Sequence, residues 1–418
     1  VALAKSFNTN SRSPYLVAGF ISDDPSMFGR TLLGVRIYPN DENVVKAMDS
    51  CDASTLVVSP LKSEVIAENE TMVNRLIESG KKIMVMPNAR EWDGKSEMNT
   101  NLLREVKVED LLPRQKIEVD MDAIGEQLRG KRILITGAAG SIGSEMVRQA
   151  AVYNPSELIL IDQAETPLHD IRLMMARQWP HLKALTIVAD ISNEARMADI
   201  FNAHKPQYVF HAAAYKHVPM MEDNPNEAIV NNVKGTKIMA DLSVSLGVEK
   251  FVMVSTDKAV NPTNVMGCSK RICEIYVQAL DKAEKEGKVA GNTHFVTTRF
   301  GNVLGSNGSV IPLFKEQIKN GGPVTVTHPD IIRFFMLIPE ACKLVLEAGT
   351  MGNGGEIFVF DMGKPVKIVD LAKRMISLSG AKDIEVKFTG LRDGEKLYEE
   401  MLMHEEGLQE TANKLIHI

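Results

Sequence analysis

The 418-residue sequence predicts an α/β chain: a doubly wound parallel sheet with a smaller C-terminal cap, preceded by a second α/β domain. Three observations predict it. From Lys131 onward, short β-rich apolar runs alternate with helix-length segments, the pattern of βαβ units. The first of those runs, Arg132 to Thr136, opens into a glycine-rich turn and then a helix. The first hundred residues repeat the alternation on a smaller scale, and the chain is too long for one hydrophobic core of about 250 to 300 residues.

Taken in order, Val1 to Asn8 reads as a helix that lacks the strand expected before it, and the chain begins with Val1 rather than Met. The first domain, 1–106, is therefore expected to be truncated at its start. Within it, Tyr15 to Ile21, Thr55 to Val58 and Lys82 to Met86 read as strands and Glu64 to Glu78 as an amphipathic helix. Glu91 to Thr100 is polar, and Val106 to Val119 has no clear period, which places a linker at 107–129. The second domain, 130–418, starts with strand Arg132 to Thr136 and helix Ser144 to Val152. Strands follow at Leu158 to Ile161, Leu185 to Val188, Tyr208 to His211, Lys250 to Val254 and His294 to Arg299, in the manner of a doubly wound sheet. After Phe300, helices at Ile311 to Asn320, Pro339 to Glu347 and Lys367 to Leu378 among glycine-rich turns suit a cap over the sheet's carboxyl edge.

The formal net charge is −6, from 48 Lys+Arg against 54 Asp+Glu, so binding of nucleic acid through bulk positive charge is not expected. Cys51, Cys268, Cys273 and Cys342 are too few for a disulfide framework, and no Cys or His spacing suggests a metal. No apolar run reaches the roughly 18 to 20 residues that cross a bilayer, so the sequence given is expected to be soluble.

The turn Gly137-Ala138-Ala139-Gly140-Ser141-Ile142-Gly143 lets backbone N–H groups approach a pyrophosphate at the positive end of the following helix; a plain structural turn is the alternative. Asp162 ends the next strand, where a carboxylate either accepts from adenosine ribose hydroxyls, favouring NAD over its 2′-phosphate, or is a solvated turn residue. Asp190 and Ile191 end the third strand and could meet the adenine. Ser255-Thr256-Asp257-Lys258 follows the strand Phe251 to Val254, so an acid and a base stand at a strand's carboxyl end. The plainer reading is a loop ion pair. Met266 and Lys270 lie four apart, on one helix face.

The run from Lys131 to about Gly394 resembles the extended short-chain dehydrogenase/reductases, with their Rossmann-type sheet. Within them it resembles the membrane-associated UDP-N-acetylglucosamine 4,6-dehydratases of the capsular-polysaccharide and flagellin-glycan group. The residues that carry this are the glycine turn with Ser144-Glu145, His211-Ala212-Ala213-Ala214-Tyr215-Lys216-His217-Val218-Pro219, Ser255 to Ala259, Arg299-Phe300-Gly301-Asn302-Val303-Leu304-Gly305-Ser306, and Arg392-Asp393-Gly394-Glu395-Lys396. The first hundred residues resemble the Rossmann-like domain that in this group follows several transmembrane helices. One departure stands out: the tyrosine of the usual Tyr-x-x-x-Lys pair is here Met266, and a thioether accepts no proton.

The resemblance implies bound NAD and an internal redox cycle: oxidation at C4, loss of the C5 proton and the C6 hydroxyl, and return of hydride to C6. It implies that Lys258 is the C5 base, Asp257 the acid for the departing hydroxyl, and Thr256 a partner of the C4 hydroxyl supported by Ser255. Lys258 is then expected to have a pKa depressed by burial and by neighbouring Lys270. Gly137, Gly140, Ser141, Ile142, Gly143, Asp162, Asp190, Ile191, Ala212, Ala213, Ala214, Asn231, Ser255 and Lys270 are implied around the cofactor. Lys216, Asn302, Ser306, Val310, Pro312, Thr325, Thr327, Arg333, Arg392 and Glu395 are implied around the UDP-sugar, with Arg333 and Arg392 suited to its diphosphate. Also implied are anchoring to the cytoplasmic side of a bacterial inner membrane through an N-terminal transmembrane region, and a homo-oligomer. The rival readings are a UDP-sugar 4-epimerase and a non-catalytic NAD-binding regulator.

Overall fold

The computed structural model describes residues 15–59, 69–85, 104–107, 117–381, 383–403 and 406–418, with 4, 5, 7 and 110 besides. The chain forms two compact units, one of residues 1–115, 314–324 and 369–387, the other of residues 116–313, 325–368 and 388–418.

In the first unit Thr55–Val58 pairs in parallel with Lys82–Val85, and Phe20–Ser22 with Val35–Pro39. Leu76, Val44 and Met48 form the centre of its apolar cluster, and Leu378 packs against it. Segments 314–324 and 369–387, expected within the second domain, thus group with the N-terminal residues instead. Strand Phe20–Ser22 begins later than Tyr15, and the helix is described over Glu70–Glu78, capped by Asn69 accepting from the Met72 N–H. The polar stretch Glu91 to Thr100 lies outside the described residues, as do Glu64 to Ala67 and most of Val1 to Asn8.

The expected linker 107–129 contains a helix, Met121–Leu128, because Asp120 caps it and its apolar side buries Ile124 and Leu128 in the second unit's core. That unit is built on eight strands: β1 (Arg132–Thr136), β2 (Glu157–Asp162), β3 (Ala184–Val188), β4 (Tyr208–His211), β5 (Lys250–Val254), β6 (His294–Arg299), β7 (Ile357–Phe360) and β8 (Ile416–His417). Their order across the sheet is β3-β2-β1-β4-β5-β6-β7-β8, all parallel except the pairing of β8 with β7.

Alternate residues of each strand point to opposite faces, and here both faces are apolar because both are covered. Ile133, Ile135, Leu158, Leu160 and Phe210 pack against α1 (Ser141–Ala151), α2 (Glu165–Gln178) and α6 (Ile338–Met351). Leu134, Ile159, Ile161, Val209 and Phe251 pack against α3 (Glu194–His204), α4 (Gly235–Ser245) and α5 (Val265–Lys285). Each fully buried aromatic or branched side chain there contributes roughly 1.5–3 kcal/mol. The order reverses between β1 and β4, so a crevice opens at their carboxyl ends, where such sheets bind ligands. Among the described residues no helix is long and apolar enough to cross a membrane.

Candidate active site at the carboxyl edge of the sheet

The turn after β1 is forced by contacts that only glycine tolerates. Gly137 has φ +65°, and a Cβ there would lie 2.8 Å from the Ala213 nitrogen. At Gly143 a Cβ would fall 1.9 Å from the Gly137 carbonyl oxygen, so α1 packs directly on the turn. Gly140 differs: a Cβ would meet only the Gly137 carbonyl oxygen, at 3.2 Å. It directly precedes the first N–H groups of α1, at Ser141 and Ile142, which have no intrahelical partner. Asp162, at the end of β2, accepts from the N–H groups of Ala139 and Ala164 at 2.9 Å each, so its carboxylate is held against the turn. Asp190 is exposed at the end of β3 and accepts from the Ser192 N–H, while Ile191 is buried against Gly235.

Ala212, Ala213 and Ala214 leave β4 beside the glycine turn, the Ala213 N–H donating to the Thr136 hydroxyl at 3.2 Å. Under them His211 bridges the hydroxyls of Thr136 and Thr236, at 2.8 and 2.9 Å. Burial, with the charge of Lys270 added, brings its pKa down to about 3, so it is a neutral structural strut. Asn231 is buried in a π-helical turn, Ala228–Lys234, and donates to Asn232, which donates in turn to Ser269 of α5. Lys270 is buried in the same helix, and burial lowers its pKa from the ordinary lysine value.

The turn after β5 holds the densest chemistry. The Asp257 N–H donates to the Phe300 carbonyl, so the turn is anchored to the chain leaving β6. Asp257 Oδ1 accepts from the Thr256 hydroxyl at 2.8 Å and from Lys258 Nζ at 3.0 Å, and Nζ also donates to Asn302 Oδ1 at 3.2 Å. Asp257 Oδ2 is buried with no partner. The expectation for Lys258 fails here. Burial does push against its charge, but Asp257 and Glu399 outweigh burial and the opposing Arg333 and hold the pKa above the ordinary lysine value; Lys270 plays no part in it. Glu399, which sequence reasoning did not single out, has Oε1 3.5 Å from Lys258 Nζ and 3.7 Å from Arg333 Nε.

Met266 is buried, 3% exposed and packed with Met221 and Ala228. One further expectation is corrected. Ser255 is committed below the site, its hydroxyl donating to Glu274 at 2.6 Å. Glu274 in turn accepts from Arg299 and Arg271, and Arg299 reaches Glu406, a buried ionic brace that the sequence showed only as a motif arginine.

Of the residues assigned to a nucleotide, Thr327, Arg333 and Glu395 converge: Glu395 Oε1 accepts from the Thr327 hydroxyl at 3.2 Å and faces Arg333 at 3.5 Å. Arg333 is not an open fork. It donates to the carbonyls of Ile332 and Lys396 at 2.7 Å each and of Leu397 at 3.2 Å, so its guanidinium clips the 395–397 backbone in place. Arg392 is exposed, and its backbone N–H donates to Glu395 Oε2 at 3.2 Å. Ser306 is buried, its hydroxyl donating to Val303, while the Asn307 N–H donates to Ser141 of α1. Val310 and Pro312 lie in the first turn of the helix Val310–Lys319, and Thr325 in the strand Val324–Val326. Lys216 and His217 are exposed, with the His217 ring against Gly308. No group of side chains among the described residues is arranged to hold a metal ion.

A doubly wound sheet with its glycine turn on β1, an Asp-Lys turn on β5 and a lysine at the sixth position of α5 defines a protein of the extended short-chain dehydrogenase/reductase type. More particularly, the chain belongs to the polysaccharide biosynthesis protein family, whose profile matches residues 133–418. It is 52% identical over 326 residues to the capsular polysaccharide biosynthesis protein CapD of Staphylococcus aureus, covering 77% of this chain and 53% of that one. With the probable polysaccharide biosynthesis protein EpsC of Bacillus subtilis it shares 42% identity over 402 residues, 96% of this chain and 66% of that one. The chain thus spans between about half and two thirds of the length of these two curated relatives. A UDP-glucose 4-epimerase of Rickettsia rickettsii is 37% identical over 281 residues, 66% of this chain and 79% of that protein. Among solved structures, Pen from Bacillus thuringiensis matches with a TM-score of 0.65 at 32% identity, over 69% of this chain and 89% of that one.

Proposed function

We propose that this chain carries the active site of an NAD-dependent nucleotide-sugar 4,6-dehydratase of bacterial surface-polysaccharide synthesis, acting on UDP-N-acetylglucosamine or a close UDP-hexosamine. The observation that carries this reading is the Asp257–Lys258 pair, hydrogen-bonded at 3.0 Å at the carboxyl end of β5, with a buried carboxylate oxygen left unpartnered. Elimination of water across C5 and C6 needs a base and an acid at those carbons, whereas a 4-epimerase moves a hydride and a hydroxyl proton at C4 and needs neither at C5 or C6.

The residues present fit a dinucleotide: the turn carries glycines where a Cβ would clash or crowd, α1 offers its N-terminal N–H groups, and Asp162 stands where ribose hydroxyls would donate. Bound NAD supplies the hydride acceptor for C4 and the hydride donor for C6. The protein's part is acid–base work. In the resting arrangement the proton sits on Lys258, as ammonium, beside the Asp257 carboxylate. Its transfer along their hydrogen bond yields a neutral amine and a carboxylic acid. The amine then takes the C5 proton as the acid protonates the C6 hydroxyl, which leaves as water; the ammonium gives a proton back to C5 when hydride reaches C6, and the proton released by the C4 hydroxyl on oxidation replaces the one carried off in the water. Thr256, already bonded to Asp257, is the hydroxyl nearest to this pair in sequence and contact. Arg392 and the Thr327–Glu395 cluster are assigned to the nucleotide end.

A second reading, a UDP-sugar 4-epimerase, is favoured by the name of the Rickettsia relative. Incubation with UDP-N-acetylglucosamine in heavy water, followed by proton NMR, separates the two. A dehydratase forms a C6 methyl signal and takes deuterium at C5. Formation of the C4 epimer, with no methyl signal and no deuterium, would sink the dehydratase reading.

A further inference from the structure

The segment Arg392 to Glu400 is stitched to the turn that carries Lys258. The Gly394 carbonyl accepts from the Thr263 hydroxyl and the Asn264 side chain, at 3.1 Å each, and Lys396 Nζ donates to the Val260 carbonyl at 2.9 Å. Arg333 grips the same segment through the Lys396 and Leu397 carbonyls. These contacts deliver the Glu399 side chain, 4% exposed, between the Lys258 ammonium and the Arg333 guanidinium. Its Oε1 lies 3.5 Å from one and 3.7 Å from the other, and Oε2 is buried with no partner. A carboxylate is costly to bury without full hydrogen bonding, so its position asks for a reason beyond packing.

We propose that Glu399 is a positioning residue for Lys258: its carboxylate holds the lysine beside Asp257 and stabilises the ammonium that forms as the lysine takes a proton from substrate. The inference rests on the assignment of Lys258 as the C5 base. A base gains strength when its protonated form is favoured, and proton transfer follows base strength. The charged groups facing Lys258 Nζ are Asp257 on its own turn, Glu399 on the C-terminal segment and Arg333 on the strand Ile332–Arg333. With two carboxylates against one guanidinium, removing Glu399 leaves one of each. Lys258 should then lose its proton more readily and bind one less avidly.

The test reads Lys258 itself, on the full chain without substrate: the rate of its carbamylation by cyanate, followed by mass spectrometry across pH, in wild type, Glu399→Gln and Glu399→Asp. Only the neutral amine reacts. The half-point should fall by about one pH unit or more in Glu399→Gln, since an opposite charge within about 4–6 Å commonly moves a pKa by about 1–3 units. Glu399→Asp, which keeps the charge farther from Nζ, should lie between. In parallel, C5 deuterium exchange into UDP-N-acetylglucosamine should slow in Glu399→Gln at the pH optimum of the wild type. An unchanged half-point in both variants overturns the proposal, as does an exchange rate equal to wild type. A residue that merely held the fold would lower thermal stability or raise KM without moving the half-point. Should Glu399→Gln not fold, the Asp variant decides by the same reading. If wild type makes no dehydrated product while the half-point still moves, the function assigned to the site is wrong and the pairing of Glu399 with Lys258 stands.

Discussion

At the Asp257–Lys258 pair, one proton and 3.0 Å separate the resting ion pair from the neutral acid and base that the proposed chemistry requires. The residue types of that pair were plain in the sequence, but their electrostatics were not, because Glu399 comes from a segment some 140 positions away in the chain. Each member carries its own prediction. Lys258→Met removes the base but leaves C4 oxidation possible, so reduced-nicotinamide absorbance should build up on adding substrate, with turnover down about 10²- to 10⁴-fold. Asp257→Asn keeps the shape and loses the acid, so deuterium should still enter C5 of recovered substrate while the C6 methyl signal vanishes. Deuterium uptake by the Lys258 variant at the wild-type rate would reverse the two roles. The glycines make a second contrast. Gly143→Ala sets a methyl 1.9 Å from a carbonyl oxygen and should disturb the fold itself, whereas a Cβ at Gly140 meets one carbonyl oxygen, at 3.2 Å, which a shift of a few tenths of an ångström relieves. Gly140→Asp should therefore melt normally and lose bound cofactor. If purified Gly140→Asp retains NAD as wild type does, the turn is not the phosphate site.

At the scale of elements, α5 shows how the lysine proposed as the C5 base is held in place. Asn264 caps the helix by accepting from the Gly267 N–H at 2.7 Å, and a Cβ on Gly267 would lie 2.2 Å from the Lys258 carbonyl oxygen. The helix start and the Lys258 turn therefore touch backbone to backbone. That contact was hidden in the sequence, since a glycine inside a helical pattern looks only like a weak helix former. Helix spacing did indicate that Met266 and Lys270 share a face, but it could not show how deeply that face is buried. Met266→Tyr adds a ring and a hydroxyl to the small pocket of Met221 and Ala228, so it should cost about 1–3 kcal/mol of stability by overpacking. A thermal melt checks this, and a Tyr variant as stable as wild type would mean that the pocket opens more readily than its packing implies. Beneath α5, Glu274 and Arg299 are both wholly buried and bonded at 2.8 Å. Arg299→Met leaves the Glu274 charge with only Arg271, so a loss of about 3–5 kcal/mol is expected, and adding Glu274→Leu should recover much of it.

Across the whole molecule, the sheet was the most legible part. Its central strands are buried on both faces, so Arg132–Thr136, Tyr208–His211, Lys250–Val254 and His294–Arg299 stand out as apolar runs whose ends the structure reproduces. Long-range grouping was not legible: nothing local in 369–387 says that Leu378 packs with Val44 and Leu76 rather than over the sheet. Nor did the sequence show that His211, the first residue of its motif, is a buried strut, since its partners Thr136 and Thr236 lie 75 and 25 residues away. That histidine links the sheet's core to the pH dependence of the entire fold. In the unfolded chain it titrates near 6.5, whereas in the fold burial and Lys270 bring it to about 3. The unfolded state therefore binds the extra proton first, and stability falls as pH falls. The contribution is intact above about 6.5 and is lost progressively between 6.5 and 3, at about 1.4 kcal/mol per pH unit. At pH 4.5 the wild type should have lost on the order of 2–3 kcal/mol from this group. His211→Gln can still bridge two hydroxyls and has no such titration. It should start less stable at pH 7 yet show a shallower decline in urea midpoint between pH 6.5 and 4.5, and parallel declines in the two proteins would mean that His211 takes up its proton without unfolding the sheet.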